Sequence, residues 1–122
     1  MANILVVEDE VDAQEIVRSL LEYSNLSTDV VGTAEEACKR LDQQRYQAII
    51  IDLGLPGMDG LNLLKTIRAN DATAGLPCMI ITAYDSSLVK KQALDAGSDA
   101  YLAKPLEQAY FLQEVQRIMG VG

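Results

Sequence analysis

Two hydrophobic rhythms alternate along this chain. Short, mostly apolar runs recur at Asn3-Ile4-Leu5-Val6-Val7, Ser27-Thr28-Asp29-Val30-Val31, Ala48-Ile49-Ile50-Ile51, Pro77-Cys78-Met79-Ile80-Ile81-Thr82 and Ala100-Tyr101-Leu102-Ala103. Their length and β-branched content predict strands, and the unbroken isoleucines of the third predict one buried on both faces. The second run is more polar and reads as a sheet edge. Pro77 is tolerated because it stands first in its strand.

Between these runs the period lengthens to that of a helix. From Val11 onward Ala13, Ile16, Val17, Leu20 and Leu21 fall on one face, with Gln14, Glu15, Arg18 and Glu22 opposite. Gly32-Thr33 opens a second helix, where Thr33-Ala34-Glu35-Glu36 matches a capping box and Ala34, Ala37, Cys38 and Leu41 form the apolar stripe. A third runs from about Gly60 to Asn70, capped by Asp59, with Leu61, Leu64 and Ile67 inward. Asp71 to Leu76 is a loop. Ser86 caps a fourth helix through Ala96, and Gly97 suits its left-handed stop. The last extends from about Leu106 to Met119 and carries Phe111, Leu112, Val115 and Ile118.

Strict alternation of strand and helix with short connections predicts an α/β domain with a five-stranded parallel sheet and right-handed crossovers. The polar second strand at one edge suits a doubly wound, flavodoxin-like order of 2-1-3-4-5. No repeat or internal linker interrupts the pattern, so residues 1–122 are expected to form a single domain.

In such a sheet ligands bind at the carboxyl ends of the strands. The buried third strand runs into Asp52 and then Gly54-Leu55-Pro56-Gly57-Met58-Asp59-Gly60, whose glycines permit tight turns. The first strand ends in Glu8 and Asp9, the fourth in Thr82 and Ala83, the fifth in Lys104. With strands one and three adjacent, Asp9 faces Asp52. Two carboxylates about 4 Å apart repel by roughly 4 kcal/mol at an effective dielectric near 20, so a proton or a hard cation must settle the cluster.

Composition narrows the chemistry. Histidine is absent, which excludes Ser-His-Asp and Cys-His nucleophile schemes and zincin motifs. The two cysteines, Cys38 and Cys78, lie far apart and read as reduced, buried thiols. An all-oxygen site selects Mg²⁺, with Mn²⁺ as the alternative ion, over zinc. A carboxylate at the centre, a divalent ion, Lys104 and the Thr82 hydroxyl form a constellation for phosphoryl transfer to Asp52. The net charge of −8 argues against direct nucleic-acid binding. No apolar run is long enough to span a membrane, and the amino terminus enters a strand without a signal-peptide pattern, so a cytoplasmic protein is expected.

These motifs, in order and at the ends of the right strands, resemble the receiver domain of response regulators in two-component signalling, the chemotaxis-protein type. The match runs from Asn3 to about Met119 and rests on Glu8-Asp9, on Asp52 ahead of its Gly/Pro loop, on Thr82-Ala83 and on Lys104-Pro105. The resemblance implies that Asp52 is phosphorylated from the phosphohistidine of a histidine kinase or a histidine phosphotransfer protein, making this a phosphoacceptor and not an enzyme on a separate substrate. It implies direct Mg²⁺ ligation by Asp9, Asp52 and the carbonyl of Gly54, with Glu8 acting largely through water. Lys104 and the Thr82 hydroxyl are implied to bind phosphoryl oxygens, together with the N–H groups of Leu53 and Ala83. Lys104-Pro105 is implied to be cis, a geometry that is inexpensive only before proline. Thr82 and Tyr101 are implied to switch together, altering the face of helix 4, strand 5 and helix 5 for a downstream protein, an effector domain or a phosphorylation-dependent dimer.

Gly54 and Tyr84 stand at the family's variable positions, Gly54 opening the site and a bulky Tyr84 expected to cover it and slow hydrolysis. An aspartate-nucleophile phosphatase needs a second Asp two residues after the first, where this chain has Gly54. A flavin binder needs a Ser/Thr/Gly-rich phosphate loop after strand one, where Glu8-Asp9-Glu10 would repel phosphate. A receiver-like interaction module that accepts no phosphate is the remaining alternative, and the presence of Asp52, Thr82 and Lys104 weighs against it.

Overall fold

The computed structural model describes residues 3–54 and 59–120, and the expected turns at Leu55–Met58 lie outside them. Five strands and five helices alternate: β1 (Asn3–Val7), α1 (Val11–Tyr23), β2 (Ser27–Val31), α2 (Ala34–Gln43), β3 (Ala48–Asp52), α3 (Gly60–Ala69), β4 (Cys78–Thr82), α4 (Ser87–Asp95), β5 (Ala100–Ala103) and α5 (Gln108–Ile118). All strand pairs are parallel, and the order is β2-β1-β3-β4-β5. The doubly wound, flavodoxin-like prediction holds in both order and direction.

Alternation along the strands divides the core in two. Leu5, Val7, Ile49, Ile51 and Ile80 face one layer with α2, α3 and α4. Ile4, Val6, Ile50, Met79 and Ile81 face the other with Val17 and Leu21 of α1 and Phe111 and Val115 of α5. Every residue of β3 and β4 is buried, as their continuous apolar runs require. β2, with Ser27 to Val30 half-buried, is the edge strand expected.

The helix starts follow their capping residues. Thr33, Asp59 and Ser86 accept N–H donors at Glu36, Asn62 and Val89. The box at Thr33 is half-formed, because the Glu36 carboxylate meets the Thr33 hydroxyl and not its backbone N–H. α5 begins two residues later than predicted, with Glu107 as its cap.

The predicted helix faces need two corrections. Ile16 is 57% exposed, at the margin of an α1 face whose centre is Val17 and Leu21. In α3 the buried residues include Leu63, Leu64 and Ile67, while Leu61 is only half-buried. A helical wheel gives an arc of apolar positions; the neighbouring elements decide which margin is covered.

Two contacts set the position of the strand ends. A Cβ on Gly60 would lie 2.8 Å from the Asp52 carbonyl oxygen and 2.9 Å from Ile51 Cγ2, so only glycine lets α3 begin against the end of β3. At the opposite end of the sheet Arg68 donates to the carbonyls of Ala74, Leu76 and Gly97 and to the Asp99 carboxylate. That carboxylate also accepts the Cys78 N–H, tying α3, the start of β4 and the stop of α4 together. Among the described residues, no helix is long and apolar enough to cross a membrane.

Candidate functional site

The carboxyl ends of β1, β3, β4 and β5 meet in one cleft. β1 delivers Glu8, whose backbone N–H donates to Val31 and whose carbonyl accepts from Gln14 Nε2 at 2.6 Å. The acidic triplet after β1 then divides by task. Glu8 is 1% exposed and points inward, Asp9 is exposed, and Glu10 caps α1 by accepting the N–H groups of Asp12 and Ala13.

Asp52 ends β3 and is 7% exposed. Its Oδ1 accepts the Gly54 N–H at 3.1 Å, and its Oδ2 lies 3.2 Å from Lys104 Nζ. The same ammonium is 2.8 Å from Glu8 Oε1. Lys104 is held there by the β4–β5 ladder, its N–H donating to the Thr82 carbonyl at 2.8 Å, and the Lys104-Pro105 bond that follows is cis, as expected.

Crowding of charge in this partly dry cleft separates the ionisations. Burial and the Asp52 carboxylate push Glu8 up to about 7 from its ordinary 4.5, with Lys104 pulling the other way. Burial opposes ionisation of Asp52 too. Hydrogen bonding with Glu8, the Gly54 N–H and the Lys104 ammonium outweigh it and hold Asp52 below the usual carboxylate range. Lys104 is itself opposed by burial, yet its two carboxylate neighbours raise it. Asp52 is therefore the ionised member of the pair near neutrality, and Glu8 is the one that holds a proton as pH falls below about 7.

One oxygen each from Glu8, Asp9 and Asp52 lie within 4.8 Å of one another. The donor set is carboxylate only, with neither His nor Cys, which fits a hard divalent cation and not a soft one. The cluster expected from the strand ends is thus assembled.

Other expected residues are placed less directly. Thr82 is buried, and its Oγ1 accepts the Tyr84 N–H at 2.9 Å. Ala83 is exposed at the rim. The Leu53 N–H donates to the Ile81 carbonyl at 3.2 Å, so the backbone donor turned to Asp52 is that of Gly54, one residue later. Tyr84, expected to cover the site, is 76% exposed. The phenol of Tyr101 donates to Asp85 Oδ1 at 2.9 Å. Neither Asp85 nor the Gly54 N–H stands out in the sequence; Asp85 follows three residues after Thr82, and that spacing is its only local signal.

Comparison with known proteins agrees with this geometry. The family model of the response regulator receiver domain matches residues 4–116. The transcriptional regulatory protein PmrA of Pectobacterium parmentieri is 40% identical over 103 residues, which cover 84% of this chain and 46% of that protein. The receiver domain of the sensor histidine kinase PA1611 of Pseudomonas aeruginosa PAO1 superimposes with a TM-score of 0.90 at 31% identity, covering 98% of each chain, and that structure holds a magnesium ion coordinated in its active-site cleft. A two-component response regulator from Clostridium difficile gives a TM-score of 0.90 at 28% identity, covering 98% of this chain and 97% of that one. The chain spans about half the length of most of the curated relatives it matches.

Proposed function

This chain belongs to the family of response regulator receiver domains, and on that premise we propose that Asp52 accepts a phosphoryl group from a phosphohistidine donor. The donor class is a histidine kinase or a histidine phosphotransfer protein, and residues 1–122 act as one receiver unit. The observation that carries the reading is the cleft itself. An ionised Asp52, held by Lys104 and the Gly54 N–H, stands beside Glu8 and Asp9 at the end of the central strand.

In the transfer an Asp52 carboxylate oxygen bonds to phosphorus as the phosphorus–nitrogen bond of the donor imidazole breaks. The imidazole nitrogen keeps the electron pair and takes up a proton. Asp9, Asp52 and the Gly54 carbonyl would hold Mg²⁺, with Glu8 acting through water. Bound there, the ion supplies neutralising charge for the phosphoryl oxygens. Lys104 contributes a fixed positive charge, and it can leave its two carboxylates for a phosphoryl oxygen without leaving the cleft. The Thr82 hydroxyl and the N–H groups of Ala83 and Gly54 are the remaining donors within the same loops. Domains of this kind assist their own phosphorylation and hydrolysis; they do not turn over a separate substrate.

The output is proposed to run through α4, β5 and α5, whose surface carries Lys90, Lys91, Glu107 and Arg117, by a shift between two populated conformations. A downstream protein, a covalently attached effector domain or a second copy would read that shift.

Intact mass after incubation with acetyl phosphate tests the acceptor reading. A single phosphate addition that requires Mg²⁺ is expected. No addition and no phosphate release would leave only the interaction-module reading.

A further inference from the structure

We propose that Asp85 is a latch on the switch: by accepting the Tyr101 phenol it holds that ring outward and keeps Thr82 turned away from the acceptor. Asp85 is a positioning residue, since it touches neither Asp52 nor any expected phosphoryl ligand. The inference rests on the phosphoacceptor reading and adds a control element to it.

The register of the sheet carries the argument. Ile80 pairs with Tyr101, and Thr82 with Ala103. Alternate residues of a strand share a face, so Ile80, Thr82, Tyr101 and Ala103 all lie on one side of the sheet. Tyr101 packs against the core that contains Ile80. Its diagonal neighbour is Thr82, whose partner across the ladder is the small Ala103. The Tyr101 hydroxyl is bonded at 2.9 Å to Asp85, on the exposed loop that follows Thr82.

Asp85 and Thr82 belong to one short loop. Thr82 Oγ1 accepts the Tyr84 N–H, and Ser86 begins the cap of α4. α4 buries only Ala93, so the loop is held more by its end contacts than by packing of the helix. Turning the Thr82 hydroxyl toward a phosphoryl group on Asp52 takes the acceptor from Tyr84. The loop must then shift, and the Asp85 carboxylate shifts with it. Tyr101 is released to move in beside Ala103. Linkage requires the converse: while Asp85 keeps its grip, the phosphorylated arrangement is disfavoured by the strength of that bond.

The test uses Mg²⁺ with beryllofluoride, a stable mimic of a phosphoryl group, and reads its affinity together with the NMR signals of ¹³C-labelled tyrosine rings. A net contribution of about 1 kcal/mol for one such hydrogen bond corresponds to about a fivefold change in affinity. Asp85→Ala is expected to tighten beryllofluoride binding about fivefold and to move the ligand-free Tyr101 signal toward its bound position. Asp85→Asn, which still offers an amide oxygen, should stay near the parent. In a Tyr101→Phe background, where no phenol exists, Asp85→Ala should change nothing. If the parent binds beryllofluoride but Asp85→Ala leaves affinity and Tyr101 signal unchanged, or acts equally with Phe at 101, the latch is wrong and the acceptor reading stands. If the parent fails to bind beryllofluoride, the acceptor reading fails and the latch falls with it.

Discussion

Lys104 Nζ lies 2.8 Å from Glu8 Oε1, joining residues 96 positions apart in the chain. The ammonium also touches Asp52, so one cation compensates two buried carboxylates. Removing a partner from such a group leaves charge without compensation, which is more damaging than the pair is stabilising.

Lys104→Ala should therefore do two separable things. The metal-free protein should lose about 1–3 kcal/mol in urea unfolding, less than for a fully buried pair because Lys104 keeps some exposure. Phosphorylation by acetyl phosphate should slow by roughly a hundredfold, the range for loss of one charge-stabilising donor. Added Mg²⁺ should restore much of the stability and little of the rate.

Glu8 makes the site respond to pH. Its carboxyl is raised to about 7 in the folded protein, so between its ordinary 4.5 and about 7 the native state binds a proton that the unfolded chain has released. Stability of the metal-free protein should then fall as pH rises through that window, by at most about 1.4 kcal/mol for each pH unit. Glu8→Gln should flatten the dependence. Mg²⁺ binding favours the ionised carboxylate, so near pH 6 it should release protons, read by calorimetry in buffers of different ionisation enthalpy. The release should disappear in Glu8→Gln.

Gly60 is where α3 meets the end of β3. Its added Cβ would strike the Asp52 carbonyl and Ile51, both held by the central strand. Gly60→Ala should destabilise the protein by about 1–3 kcal/mol, despite alanine's better helix propensity. It should also weaken Mg²⁺ binding by displacing the Asp52 backbone. Unchanged stability and unchanged Mg²⁺ affinity together would show that α3 can retreat freely.

Much of this arrangement was legible because it is local. Strand order followed from the apolar β3 and the polar β2, and the cleft residues followed from which side chain ends each strand. Burial was harder to read. Nothing in Glu8-Asp9-Glu10 announces that the first is enclosed, the second exposed and the third a helix cap. Ile16 and Leu61 sit at the margins of their helical arcs, where packing and not periodicity decides. The Leu53 and Gly54 amides differ by one residue, and only the β3–β4 ladder assigns the first to Ile81. Contacts made across the fold, such as Arg68 with Gly97, leave no spacing signature at all.

Asp52, and not its neighbours, is proposed to receive the phosphoryl group, and borohydride trapping after reaction with acetyl phosphate and Mg²⁺, followed by peptide mapping, locates it. An acyl phosphate at Asp52 is reduced to homoserine at that position, so homoserine is expected at 52 only, absent without Mg²⁺ and absent in Asp52→Asn. Homoserine at Asp9 or elsewhere, or the same yield in Asp52→Asn, would overturn the assignment.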